Sequence, residues 1–145
     1  MYHDSQLYDL LLIEDSTSVI DLFLVLTKKF DLKIKIVKNS NEFMNVIRTN
    51  DFKFVLCDSN LNYKYEGLFI ARVYNNIRKI KRSQGKILLF SSELASESEI
   101  GNFKFDDVLQ KDFLTIYEFL LNNFPLRSYH DLIKNDERYI VSSQG

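Results

Sequence analysis

The stretch "LLLIEDSTSVIDLF", residues 10–23, runs from four apolar residues into two adjacent carboxylates and then into an amphipathic pattern. The apolar run is continuous rather than alternating, which is typical of a strand that is covered on both faces in a parallel sheet. Ser16 then stands where a helix N-cap is expected. Glu14 and Asp15 repel each other, and crowding of this kind raises carboxyl pKa values. We therefore expect a compensating positive charge where this strand ends.

The alternation of strand and helix repeats along the chain. Continuous apolar runs recur at residues 54–57, 87–90 and 108–109. A further run from Leu32, "LKIKIV", alternates with lysine, as edge strands do to discourage unwanted pairing. Five alternations predict an α/β fold: a single doubly wound, flavodoxin-like domain whose parallel five-stranded sheet has the order 2-1-3-4-5.

Helical spacing predicts which side chains face the sheet. Ser16 is expected to cap the first helix and Ser40 or Asn41 the second, while the polar stretch "SELASESEIGNF" predicts a short fourth helix. The inward residues are Val19, Phe23, Leu26 and Phe30; Phe43, Val46 and Ile47; Ile70, Val73, Ile77 and Ile80; and, in a fifth helix ended by Pro125, Phe113, Ile116, Leu120 and Phe124.

The length, net charge and cysteine content of the chain limit its possible functions. A length of 145 residues predicts one domain, which we place at 1–125, with a C-terminal tail or the start of a linker at 126–145. The net charge of −1 gives no attraction to nucleic acid or to an anionic membrane. The single cysteine, Cys57, excludes an internal disulfide and is interpreted as a core residue. With no signal-like or membrane-length apolar segment, we expect a cytoplasmic protein.

Function in this fold collects at the carboxyl ends of the strands. The first predicted strand ends in Glu14 and Asp15, the third in Asp58, the fourth in Ser91 and the fifth in Lys111. We therefore expect three acids, a hydroxyl and a lysine to meet at one edge of the sheet.

Clustered carboxylates favour a divalent cation, and hard oxygen ligands suit Mg²⁺. With that charge neutralised, Asp58 is able to attack a phosphoryl donor and form an acyl phosphate. Phosphoryl transfer needs mainly positioning and charge neutralisation. Lys111 is a source of positive charge, and Ser91 is a hydrogen-bond donor to a phosphoryl oxygen.

At these positions the sequence resembles the CheY-like receiver domains of bacterial two-component response regulators. The acidic pair, Asp58, Ser91 and Lys111 occur in the family's order, and Gly67 matches the glycine that opens the family's third helix; the resemblance covers about residues 7–124. It implies that Asp58 is the phospho-acceptor and that Ser91 and Lys111 assist. It also implies that Mg²⁺ is bound directly by Asp15, by Asp58 and by the backbone carbonyl of Asn60, and through water by Glu14.

The resemblance further implies partners. A sensor histidine kinase or a phosphotransfer protein would supply the phosphoryl group, and a downstream protein or output domain would receive the signal, with a homodimer as an option. Turnover of an external substrate is not expected. A phosphatase that uses an aspartyl nucleophile usually has a second acid where Asn60 stands, and no glycine-rich phosphate loop occurs.

Three positions depart from the family. Asn62 stands in place of a proline in a loop one residue longer than usual, and Val108 replaces the aromatic switch residue. Asp112 replaces the proline that follows the lysine, so we expect a trans bond between Lys111 and Asp112.

Two alternatives stay open. The three departures motivate the first, a receiver-shaped interaction module that ignores phosphate. The second is purely structural: Glu14 and Asp15 only cap a helix, and Lys111 only pairs with Asp58.

Overall fold

The structure is a computed structural model that describes residues 6–58, 61–62, 65–92 and 105–126. Five parallel strands form one sheet in the order β2-β1-β3-β4-β5, which confirms the predicted order and the edge position of the lysine-rich strand. The strands are β1 (Gln6–Ile13), β2 (Ile34–Val37), β3 (Asn50–Cys57), β4 (Lys86–Ser91) and β5 (Asp107–Gln110).

Helices follow the strands on both faces of the sheet. They are α1 (Thr17–Thr27), continued by a 3-10 turn (Lys28–Phe30), α2 (Ser40–Ile47), α3 (Glu66–Lys81) and α4 (Phe113–Asn123). Helix α4 is the one predicted as fifth; the helix predicted within residues 92–103 lies outside the described residues except for Ser92, and so does the tail beyond Leu126. Within the described ranges, every helix is too short or too polar to cross a membrane.

Two hydrophobic cores cover the two faces, because successive strand residues point to opposite sides. Leu11 and Ile13 join the core beneath α2 and α3, whereas Leu10 and Leu12 join the core beneath α1 and α4. All four leucine and isoleucine side chains are completely buried. At about 1.5–3 kcal/mol for each buried aliphatic side chain, β1 contributes to the stability of both cores.

Two local predictions are wrong. Asn39, rather than Ser40 or Asn41, caps α2, because its Oδ1 accepts a hydrogen bond from Glu42 N at 2.8 Å. Ser16 is confirmed at the N-cap position of α1, although its side chain makes no capping hydrogen bond.

The second wrong prediction concerns residues expected to face the sheet. Ile80 is 82% exposed, since the ten residues from Ile70 rotate it about 80° away from the buried side of α3 at 3.6 residues per turn. Phe113, at the first position of α4, is 53% exposed. Tyr74 is buried in α3 instead.

A polar cluster fixes the opposite edge of the sheet, where the strands begin. We call it the amino-edge network: Tyr74, Arg78, Gly85 and Asp106. Tyr74 Oη and Arg78 Nη1 donate to the carbonyl of Gly85 at 2.8 and 2.9 Å. Burial raises the pKa of Tyr74 to about 12, so the hydroxyl keeps its proton. A Cβ atom on Gly85 would lie 2.0 Å from the carbonyl oxygen of Phe52, which only glycine avoids.

The same network joins β4 to β5. Asp106 Oδ2 accepts from Arg78 Nη1 at 2.7 Å and from Ile87 N at 2.8 Å, and Asp106 N donates to Ile87 O at 2.8 Å. Helix α3 is thereby tied to the beginnings of both strands.

Candidate acidic and lysine site

The carboxyl ends of β1 and β3 bring the acids together. The two strands pair so that Ile13 lies opposite Cys57, and the chain leaves both strands at the same level. Asp58 N donates to Ile13 O at 3.2 Å, which holds the two strand ends side by side. One carboxylate oxygen from each of Glu14, Asp15 and Asp58 lies within 4.8 Å of the others. The structure thus joins residues that are 44 positions apart in the chain.

Glu14 is the buried member of the cluster. Its side chain is 1% exposed, while Asp15 is exposed and Asp58 is half-buried. Burial raises the pKa of Glu14 above its ordinary value, and the negative charge of Asp58 adds to the rise although Lys111 opposes it. The Oε1 atom of Glu14 accepts from Ser16 N at 3.2 Å, which orients the carboxylate.

Lys111 supplies the positive charge expected from the sequence. Its Nζ lies 2.7 Å from Glu14 Oε2 and 2.8 Å from Asp58 Oδ2. Burial lowers the pKa of Lys111, but the contacts with Asp58 and Glu14 outweigh it and leave the pKa above its ordinary value. The ammonium also lies 5.3 Å from the ring centroid of Phe90, within cation–π range.

The charges at this edge do not balance. Three carboxylates and one ammonium leave a formal excess of two negative charges. Glu14 Oε2 is buried and is paired with the Lys111 ammonium. Oxygen ligands and excess negative charge are what a divalent cation requires, so the cluster is consistent with divalent metal binding.

The remaining predicted residues stand as follows. Ser91 is the last residue of β4, is half-buried, and accepts at its backbone carbonyl from Lys111 N at 2.8 Å, so β4 and β5 carry it beside the lysine. Asn60 lies outside the described residues. Val108 is half-buried in β5.

Asp112 stands where the family has a proline, and its role is to begin the helix that follows the site. It caps α4, with Oδ1 accepting from Thr115 N at 2.9 Å and Oδ2 from Thr115 Oγ1 at 2.7 Å. These bonds lower the pKa of Asp112. Its peptide bond to Lys111 is trans, as expected.

Cys57 is confirmed as a core residue. It is completely buried, and burial together with the neighbouring Asp58 and Glu14 carboxylates raises the pKa of its thiol well above the ordinary value. The thiol therefore stays protonated and is not a nucleophile.

Glu66 is a buried acid that the sequence analysis missed. It is 1% exposed and opens α3, next to the Gly67 that the family resemblance singled out. An acid in the first turn of a helix is a recognisable signal, but it predicts a solvated residue far more often than a buried one.

Comparison with known proteins gives the fold a name. No family model and no curated protein sequence matches the chain. Many solved structures do, among them the phosphorylated cyanobacterial phytochrome response regulator RcpA, at 16% identity and a TM-score of 0.66, over 83% of this chain and 99% of that one.

The Mn²⁺-bound response regulator Rcp1 matches at 17% identity and a TM-score of 0.65, with coverages of 83% and 99%. The receiver domain of the histidine kinase CKI1 from Arabidopsis thaliana, complexed with Mg²⁺, matches at 12% and 0.67, with coverages of 79% and 90%. At such identities the likeness establishes the fold, and the chain therefore has the CheY-like fold of response regulator receiver domains.

Proposed function

We propose that this chain is a phosphorylation-switched receiver of two-component signalling, with Asp58 as the phospho-acceptor. The observation that carries the proposal is the cluster of Glu14, Asp15 and Asp58 around Lys111 at the carboxyl edge of the sheet. Structural relatives support it, because one is a phosphorylated response regulator and two hold a divalent cation.

Asp15, Asp58 and the carbonyl of Asn60 would hold Mg²⁺ directly, and Glu14 through water. The ion, when bound, neutralises negative charge on the carboxylates and on the incoming phosphoryl group. A carboxylate oxygen of Asp58 attacks phosphorus, a new P–O bond forms, and the bond from phosphorus to the donor breaks with its electron pair leaving on the donor.

Phosphorylation then redistributes the charges. Asp58 becomes an acyl phosphate with about two negative charges on the phosphoryl group. Lys111, which pairs with Asp58 at 2.8 Å before the reaction, is close enough to pair with a phosphoryl oxygen afterwards. The hydroxyl of Ser91, on the neighbouring strand end, would donate a hydrogen bond to another phosphoryl oxygen. Because Lys111 and Ser91 lie at the ends of β5 and β4, their movement would alter the surface that these strands and α4 present to a partner.

A sensor histidine kinase or a phosphotransfer protein would donate the phosphoryl group, and a downstream protein, output domain or second copy of the chain would read the altered surface. The chain would not turn over an external substrate.

Labelling tests the proposal directly. The chain is incubated with acetyl phosphate and Mg²⁺, and its mass is followed with time. Wild type and the control Asp21→Asn, which changes an exposed carboxylate on α1, are expected to gain a phosphoryl group. Asp58→Asn is expected to gain none, and equal labelling of this variant would refute the assignment.

A phosphate-independent interaction module is the second candidate, because Lys111 pairs with both Glu14 and Asp58, and Val108 offers no aromatic switch. Amide NMR with beryllofluoride, a phosphoryl mimic, separates the two. The switch predicts shifts in β5 and α4; shifts confined to the neighbours of Asp58 would favour the module.

A further inference from the structure

The side chain of Glu66 connects two loops at the carboxyl edge. Its Oε2 accepts from Ser40 N, in the first turn of α2, at 2.7 Å. Its Oε1 accepts from Asn62 N at 3.0 Å and from Asn62 Nδ2 at 3.2 Å. Burial pushes the pKa of Glu66 upward, but these hydrogen bonds outweigh it and leave the pKa below its ordinary value. The carboxylate is therefore charged and lies between the N-terminal ends of α2 and α3, where helix dipoles favour a negative charge.

One of the two connected loops is firmly held. Asn39 Oδ1 accepts from Glu42 N at 2.8 Å, and Glu42 Oε2 accepts from Lys38 N at 2.8 Å. This arrangement is similar to a capping box, with the return bond made to the residue before the N-cap, and it fixes residues 38–42 at the beginning of α2. The loop offers a rigid support to which a second loop is able to attach.

The second loop is the one that carries the phospho-acceptor, residues 58–62, which we call the acceptor loop. It is attached at its start by Asp58 N to Ile13 O and at its end by Asn62, whose Nδ2 also donates to Lys38 O at 3.2 Å. Only three residues separate the two attachments.

The backbone after the acceptor loop is in a conformation that needs support. Tyr65, immediately before Glu66, has a φ of 71°, a left-handed conformation that is strained for a residue with a side chain. Such a conformation persists only where surrounding contacts hold it, and the hydrogen bonds of Glu66 are among the contacts next to it.

We propose that Glu66 is a positioning residue: through Asn62 it holds the end of the acceptor loop, and with it the placement of the metal ligands that the proposed function assigns to this loop. The inference rests on the proposed function, because it assigns the loop a magnesium ligand. It also gives Asn62 a reason to replace proline. Proline stiffens a loop by fixing φ but has no N–H to donate, whereas Asn62 is held by donating both its N–H and its amide to Glu66.

The test is a Mg²⁺ titration followed by amide NMR on wild type, Glu66→Gln, Asn62→Ala and the double variant. Glu118→Gln, an exposed carboxylate on α4, is the control. Residues that orient metal ligands typically contribute 10–100-fold to affinity, so we expect each single variant to bind Mg²⁺ about tenfold more weakly. The double variant should be no weaker than Glu66→Gln, since both changes remove the same support.

Asn62→Ala keeps the test decisive if Glu66→Gln does not fold, because Asn62 is exposed. Folded variants with wild-type Mg²⁺ affinity, or additive losses in the double variant, would overturn the positioning role alone. A wild-type chain without Mg²⁺ binding would instead remove the proposed function, and the two failures are therefore distinguishable.

Discussion

At each edge of the sheet a positively charged side chain lies between hydrogen-bond acceptors, yet the two edges are organised differently. At the amino edge, Arg78 pairs with one carboxylate, Asp106, whose oxygen also accepts a backbone N–H. At the carboxyl edge, Lys111 is shared by Glu14 and Asp58, and two negative charges remain in excess. The first arrangement is saturated and serves stability. The second keeps unbalanced charge at a strand end, a pattern that is consistent with divalent metal binding.

The amino edge is where we expect the largest loss of stability. Gly85→Ala places a Cβ atom against the backbone carbonyl of Phe52, so strands β3 and β4 have to separate locally. Because overpacking typically costs 1–3 kcal/mol and here the obstacle is backbone, we expect the free energy of unfolding to fall by at least about 3 kcal/mol. Urea denaturation measures it, with the exposed Lys79→Ala as control.

The comparison also predicts that this loss is confined to stability. The fraction of Gly85→Ala that remains folded should bind Mg²⁺ with unchanged affinity. A folded variant with impaired Mg²⁺ binding would show that the two edges are coupled and would break the division of roles.

At the carboxyl edge, removing the positive charge of Lys111 should lower the free energy of unfolding by less than Gly85→Ala does. Leaving a buried charge unpaired costs roughly 3–5 kcal/mol, but Glu14 is able to take up a proton because its pKa is already raised. We therefore expect Lys111→Met to lower the free energy of unfolding by about 2 kcal/mol at neutral pH. Urea denaturation with and without Mg²⁺ tests this, with Lys35→Met on the exposed side of β2 as control.

Mg²⁺ binding should compensate for a loss of stability at the carboxyl edge only. Mg²⁺ stabilises by mass action, about 2.7 kcal/mol at one hundred times Kd, and should stabilise Lys111→Met at least as much as wild type, because the variant carries more excess negative charge. No stabilisation of either protein by Mg²⁺ would contradict the interpretation of the cluster as a cation site.

The sequence predicted the fold and the composition of the site for the same reason. Continuous apolar runs such as residues 10–13 are a local signal of a parallel strand, and a parallel sheet aligns all strand ends, so Glu14 and Asp58 meet without any information on side-chain geometry. The burial of Glu66 was not predictable in this way, because one of its donors, Ser40, lies 26 residues away. The choice of Asn39 over its neighbour Ser40 as a cap was also beyond pattern reading, since both residue types are good caps.

The smallest expected effect is a pH dependence that isolates Glu14. Burial raises its pKa in the folded state above the ordinary value of 4.5, so the folded chain holds the proton more tightly than the unfolded chain. Its contribution to stability is therefore most favourable below pH 4.5 and declines as the pH rises through the folded pKa.

Glu66 has a lowered pKa, so its contribution to stability changes with pH in the opposite direction. The pH dependence of the total stability therefore does not reveal the contribution of Glu14. The difference between wild type and Glu14→Gln does. We expect wild type to lose stability relative to the variant as the pH rises from 4.5 to neutral, when urea denaturation is repeated across that range. The opposite slope would show that Lys111 alone compensates Glu14, and that this edge is as saturated as the other.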